Sequence, residues 1–106
     1  MDKVIIICNC GMSSSLIAKK VSDRLEKSSE NIKVEATNSF YSDSVITGSE
    51  YKMILVSPQV YMYYDDFKKK ADEKNKKIAK IPANSYLPTS KGIKTIEQII
   101  INNISN

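Results

Sequence analysis

The stretch Val4–Leu16, VIIICNCGMSSSL, constrains the fold more than any other part of the sequence. Four consecutive β-branched residues, Val4 to Ile7, leave no polar face, so the strand they form must be covered on both sides. They run into Cys8, then a loop with a second thiol at Cys10, a glycine and three serines, and then a helical pattern. A buried strand that ends in a nucleophile and opens onto a helix N-terminus is a place to hold an anion. Backbone N–H groups of the loop and the first helical turn lack partners of their own, and the helix dipole adds positive potential. The same potential favours thiolate over thiol, which makes Cys8 a candidate nucleophile in a phosphate-cradling loop. From this stretch alone a buried structural cysteine at a strand end is the competing reading, since free cysteine is commonly buried.

The rest of the chain repeats the alternation of strand and helix. Ile17, Val21 and Leu25 mark the buried stripe of a first helix, with Lys19, Lys20, Asp23 and Glu26 facing water. Ser13, Ser14 or Ser15 is expected to cap it, and Ser28-Ser29-Glu30-Asn31 to end it. Ile32–Thr37 alternates apolar and polar residues as an edge strand does. Between Asn38 and Ser49, Phe40, Val45 and Ile46 fit a short helix closed by Gly48. Tyr51–Ser57, YKMILVS, is a second continuous apolar run, stopped by Pro58. Val60, Tyr63, Tyr64, Phe67 and Ala71 share one face of a helix reaching about Lys74. Lys76–Ile81 predicts a fourth strand, ended by Pro82. The segment 83–91 reads as a loop, and Ile93, Ile96, Ile100 and Ile104 as a final amphipathic helix. Strands alternating with helices imply right-handed crossovers and a mostly parallel sheet with helices on both faces. Ligands then sit beyond the carboxyl ends of the strands. Cys8, Pro58-Gln59 and the 83–91 loop all follow strands, so they are expected at one edge.

With 106 residues the chain suffices for one domain, 1–106, with one core. There is no histidine, which excludes Cys–His and Ser–His pairs, phosphohistidine carriage and the usual Cys/His zinc spacings. Two cysteines separated by one residue supply half a tetrahedral zinc site and no disulfide framework, so no metal is expected and the thiols should be reduced. The net charge of +4 comes almost wholly from lysine, with Arg24 the only arginine. That scarcity argues against sequence-specific nucleic-acid reading and fits a solvated surface or an acidic partner. No apolar run is long enough to span a bilayer, and no charged segment precedes a signal-like one, so a cytoplasmic protein is expected.

The loop invites comparison with the C-x5-R-[ST] loop of low-molecular-weight tyrosine phosphatases, which also follows the first strand of an α/β sheet. Counted from Cys8, the arginine position holds Ser14 and the next position Ser15. Without the guanidinium that stabilises charge on a transferring phosphoryl group, and with no evident aspartic general acid, hydrolysis of a phosphocysteine should be slow. The group would wait for another acceptor. Cys8 followed by Gly11-Met12-Ser13 and Ser15-Leu16, with Pro58-Gln59-Val60 after the third strand, resembles the IIB component of the sugar phosphotransferase system, lactose/cellobiose/chitobiose family. The likeness covers nearly the whole chain.

It implies an α/β, doubly wound, four-stranded parallel sheet of order 2-1-3-4 with helices on both faces, similar to the low-molecular-weight phosphatases. It also implies a phosphoryl group carried on Cys8, received from a phosphohistidine of a IIA protein. That group would pass to a β-linked disaccharide of the cellobiose, chitobiose or lactose type during uptake through the membrane permease IIC. No cofactor is implied. Loop residues Asn9, Cys10, Gly11, Met12, Ser13, Ser14 and Ser15 would hold the phosphoryl oxygens, with Pro58, Gln59 and Tyr86 as rim or partner contacts. The sequence departs from the family at Cys10, where a small residue such as alanine is expected, and at Lys91-Gly92, where Asp-Gly is frequent.

Each of these residues has a structural alternative. The serines could be a helix cap, Pro58-Gln59 a strand terminator and Tyr86 a packing residue. Tyr61, Tyr63 and Tyr64 beside Lys68–Lys70 superficially suggest base stacking. Asp65, Asp66, Asp72 and Glu73 interrupt that surface, however, and a packed helix with a solvated face is expected instead. Two other functional classes remain open on sequence: a cysteine-dependent phosphatase or arsenate-reductase-like enzyme, and a regulatory module without catalysis.

Overall fold

In the computed structural model the described residues are 1–9 and 12–104, those at 12 and 13 by backbone alone. The elements run β1 (Asp2–Cys8), α1 (Met12–Lys27), β2 (Ile32–Asn38), α2 (Ser42–Thr47), β3 (Met53–Val56), α3 (Tyr64–Glu73), β4 (Lys77–Lys80) and α4 (Ser90–Ile104). Short 3-10 turns at Ser39–Tyr41, Pro58–Tyr63 and Ala83–Ser85 follow the second, third and fourth strands. All three strand pairings are parallel, in the order β2-β1-β3-β4. This is the doubly wound sheet expected from the alternation of elements.

The continuous apolar strands sit where their composition requires. Val4 to Cys8 and Met53 to Val56 are all buried, and alternate side chains feed two separate cores. Val4, Ile6, Met53 and Leu55 pack with Ile17, Val21 and Leu25 of α1 and Ile93, Ile96 and Ile100 of α4. Ile5, Ile7, Ile54 and Val56 pack with Ile46 of α2 and Phe67 and Ala71 of α3. The outer strands are half covered, with Lys33 on β2 and Lys77 and Lys80 on β4 exposed. Charged edge positions of this kind discourage pairing with another chain.

Helix ends follow local rules. Both α1 and α3 close with a residue in the left-handed region, Ser29 at φ 61° and Asn75 at φ 56°. The next N–H reaches back across the last turn in each case: Glu30 to the Leu25 carbonyl and Lys76 to the Ala71 carbonyl, both 2.9 Å. The helices α1 and α4 are joined by a buried carboxylate. Glu97, 3% exposed, accepts from Arg24 Nε at 3.0 Å and from the Ser28 hydroxyl at 3.4 Å.

Several local expectations are corrected. The third strand is Met53–Val56, shorter than Tyr51–Ser57, although Lys52 and Ser57 at its two ends still donate to the Lys3 and Ile7 carbonyls of β1. Pro58–Tyr63 is a 3-10 turn and not the start of a helix, with Val60 at φ −125°, ψ 24°. The apolar side chains at 60 and 67 both reach the core, but from two differently wound segments, so Tyr63 falls outward at 46% exposure. Phe40 contributes nothing to the core: it is 86% exposed and meets Tyr41 edge to face. The helix α1 begins at Met12, which puts Ser14 and Ser15 inside its first turn and not at the cap.

Two couplings give measurable stability effects. Gly92, inside α4, lies so close to the preceding turn that a Cβ would stand 2.7 Å from the backbone oxygens of both Ser85 and Leu87. Gly92→Ala should therefore cost about 1–3 kcal/mol in urea denaturation, because backbone must move to admit a methyl group. The second coupling is a carboxylate on β2. Glu35 accepts from the Tyr51 hydroxyl at 2.5 Å, and that bond, aided by Lys3 and Lys33, holds its carboxyl below the ordinary value. A depressed carboxylate adds stability that is present above its unfolded value and is lost as pH falls through the folded one. The acid limb of the stability–pH curve, from about pH 5 down to about pH 3, should accordingly be shallower in Tyr51→Phe than in the wild-type protein.

Candidate functional site

Parallel pairing brings the ends of all four strands to one edge of the sheet. Cys8 is the last residue of β1 and is fully buried. It stands in register with Asn38 of β2, and its Sγ–H donates to the Thr37 carbonyl at 3.2 Å. The sulfur is thus seated against β2 at the entrance to the loop, beside an acceptor that a thiol can use and a thiolate cannot.

The two remaining strand-end loops reach this point through side-chain hydrogen bonds. Gln59 is exposed in the 3-10 turn after β3, and its Oε1 accepts from the backbone N–H of Asn9 at 3.1 Å. The amide thereby fixes the residue that directly follows Cys8. Pro58 sets the start of that turn and is partly exposed. From the far side, Tyr86 lies just after the turn that follows β4, half-buried against the α1/α4 core. Its hydroxyl lies 2.5 Å from the hydroxyl of Ser14, which is 3% exposed in the first turn of α1. Ser15 points to solvent.

The residues expected to form the site therefore divide clearly. Cys8, Asn9 and Gln59 are brought together, as are Ser14 and Tyr86. Cys10 and Gly11 lie outside the described residues, and of Met12 and Ser13 only the helical backbone is described. Lys91, at the position where the family often has an acidic residue, lies exposed in the first turn of α4. The Thr37 carbonyl was not legible beforehand, because a backbone acceptor leaves no mark in side-chain identity. Nor was Asn38, whose Oδ1 accepts from the Phe40 N–H at 2.9 Å and turns the chain away after β2.

A strand-end cysteine, a following helix and this sheet order define a doubly wound α/β domain with a thiol at the carboxyl edge of its sheet. The family model described as "PTS system, Lactose/Cellobiose specific IIB subunit" matches residues 3–98. The chain belongs to that family. Among curated proteins it is 29% identical over 84 residues to a PTS system lactose-specific EIICB component of Staphylococcus aureus. That match covers 79% of this chain but only 14% of the relative's length.

Its fold is similar to the lactose-specific IIB component domain of the phosphoenolpyruvate:carbohydrate phosphotransferase system from Streptococcus pneumoniae. The TM-score is 0.79 at 19% identity, with 96% of each chain covered. It is also similar to the cellobiose-specific phosphotransferase IIB component of Borrelia burgdorferi. There the TM-score is 0.70 at 19% identity, with 95% of this chain and 89% of the other covered. Among the described residues no helix is long and apolar enough to cross a membrane.

Removing the Tyr86 hydroxyl tests how firmly the far wall is tied. Tyr86→Phe leaves the buried Ser14 hydroxyl without that bond and should lower stability by about 1–2 kcal/mol in a chemical melt. The fold itself should persist by circular dichroism.

Proposed function

We propose that the protein carries a phosphoryl group on Cys8 between a phosphohistidine of a IIA protein and a sugar presented by the membrane permease IIC. The observation that carries this reading is the placement of Cys8: a thiol at the carboxyl end of a buried central strand, a short loop ahead of α1, with Asn9 held by Gln59. In this reading residues 1–106 act as one IIB domain at the cytoplasmic face of the membrane. The acceptor is a β-linked disaccharide of the lactose or cellobiose type, and no nucleic acid takes part.

The chemistry is two in-line displacements at phosphorus. Cys8 gives up its proton and leaves the Thr37 carbonyl. Its sulfur lone pair then forms the S–P bond as the P–N bond to the donor imidazole breaks, and the proton goes to that leaving nitrogen. Backbone N–H groups of the loop that follows Asn9, at the positive end of α1, hold the non-bridging oxygens, while the Asn9 N–H stays with Gln59. The hydroxyls of Ser13, Ser14 and Tyr86 complete the cradle. The load adds close to two negative charges at pH 7. In the second step a sugar hydroxyl oxygen attacks phosphorus, the S–P bond breaks, and the hydroxyl proton passes to solvent or back to sulfur. The product is a phosphate ester, and the enzyme is a protein-phosphocysteine–sugar phosphotransferase.

The phosphatase alternative is weakened by the fate of the only arginine. Arg24 is tied to Glu97 three turns along α1, and Ser14 occupies the position where those phosphatases place their guanidinium. Water attack on the phosphocysteine accordingly lacks its usual electrostatic help.

Intact mass decides between the readings. After incubation with phosphoenolpyruvate and the soluble phosphocarriers, wild type should gain one phosphoryl group and Cys8→Ser none. Label that follows Cys10 instead would overturn the assignment. Turnover of p-nitrophenyl phosphate that depends on Cys8, without stable label, would establish the phosphatase.

A further inference from the structure

The end of β3 carries a hydroxyl for which the fold has no use. Ser57 is fully buried, and its Oγ has no hydrogen-bond partner among the described residues. Its backbone N–H donates to the Ile7 carbonyl at 3.1 Å, which sets Ser57 beside Cys8 at the ends of neighbouring parallel strands. The backbone at Ser57 is extended, φ −74° and ψ 157°, so the side-chain alternation of β3 continues through it. Leu55, two residues earlier, packs into the α1/α4 core, and so does Ile6, two residues before Cys8. The side chains of Ser57 and Cys8 therefore stand on one face of the sheet, the face that also holds Tyr86.

Cys8 is thus flanked by two strands that offer its sulfur opposite things. On the β2 side, the Thr37 carbonyl accepts a hydrogen bond and suits the thiol. Once the proton has gone, the sulfur is an acceptor only, and a carbonyl cannot hold it. On the β3 side, Ser57 offers a donor with no other engagement. A buried hydroxyl without a partner costs free energy that a methyl group of similar size would not. A state of the protein that uses this hydroxyl accounts for its position.

We propose that Ser57 is a catalytic residue whose hydroxyl donates to the anionic sulfur of Cys8. It does so before that sulfur attacks phosphorus and again as the sulfur departs toward the sugar. The role in transfer rests on the phosphocarrier reading above, whereas the effect on the sulfur can be measured without any phosphoryl donor.

The first test is alkylation of Cys8 by iodoacetamide, located by peptide mass mapping, in wild type, Ser57→Ala and Ser57→Gly. At about pH 7 both variants should react more slowly by roughly tenfold, the value of one hydrogen bond to a charged group. The difference should close to within about threefold as the pH rises to about 10, where an ordinary thiol ionises without help from a donor. Glycine controls for the alanine methyl, which could obstruct the reagent. Ser57→Ala should also unfold at an equal or higher urea concentration than wild type, because it removes a polar group the resting fold leaves unsatisfied.

Equal alkylation rates at about pH 7, or a slowing that persists unchanged at about pH 10, would overturn the proposal. So would a lower urea midpoint for Ser57→Ala, which would give the hydroxyl a structural partner. If wild type takes up no phosphoryl group while the alkylation pattern holds, the carrier reading fails and the sulfur–hydroxyl contact stands.

Discussion

Everything in this fold depends on β1 being buried on both faces. Val4 to Cys8 have at most 1% of their surface exposed, which is possible only when a helical layer covers each side and a strand pairs along each edge. The parallel partners β2 and β3 meet that need, and parallel pairing obliges every connection to cross over through a helix. The two cores that result, one under α1 and α4 and one under α2 and α3, are consequences of alternation along two strands. The same constraint determines where chemistry can occur. With every strand pointing one way, all the strand-end turns collect at a single edge, and Cys8 is the point where the most buried strand reaches it.

Side chains from two strand-end loops tie this edge together. Gln59 reaches Asn9 from the β3 side, and Tyr86 reaches Ser14 from the β4 side. Further back, the Arg24–Glu97–Ser28 cluster ties α1 to α4. Because Glu97 is almost fully buried, losing its partner would strand a charge away from water, a far larger penalty than a surface ion pair carries. The cluster therefore sets the spacing of two helices whose N-terminal ends stand near the site. Gly92 does the same at shorter range, letting the turn that carries Tyr86 press onto α4. Single atoms thus decide how the walls meet, and this matters in a site that must receive a phosphoryl group and release it again.

Sequence reasoning succeeded where burial is periodic and failed where it is local. The strands, the order of elements and the stripes of α1 and α4 were legible because a continuous or regularly spaced apolar pattern has few solutions. The Pro58–Tyr63 turn was misread because Val60, Phe67 and Ala71 do lie on one side, and periodicity alone cannot tell one helix from a 3-10 turn followed by a helix. Tyr63 was the casualty, displaced to the surface by the change in winding. Phe40 shows the converse: an aromatic in a short helical pattern looks like core, yet no neighbour is placed to cover it. For the site, the sequence placed Cys8, Gln59 and Tyr86 at the same edge but not their contacts. The Thr37 carbonyl and the orphaned Ser57 hydroxyl follow from backbone register, which side-chain identity does not encode.

The absence of an arginine from the loop gives the site its character. A guanidinium would stabilise charge throughout transfer, toward water as readily as toward a chosen acceptor. A loop of backbone N–H groups and hydroxyls binds a phosphoryl group with less electrostatic commitment, so the covalent state can persist until another molecule arrives. Around Cys8 the donors and acceptors are also separated by strand, with a carbonyl acceptor on β2 and a free hydroxyl on β3. A sulfur that must be thiol, thiolate, thioester-like phosphate carrier and leaving group in turn needs different neighbours in each state. Two parallel strands in fixed register set them on either side of Cys8. The rigidity of the sheet is therefore part of the chemistry: it keeps both options beside one residue and leaves the choice to the proton.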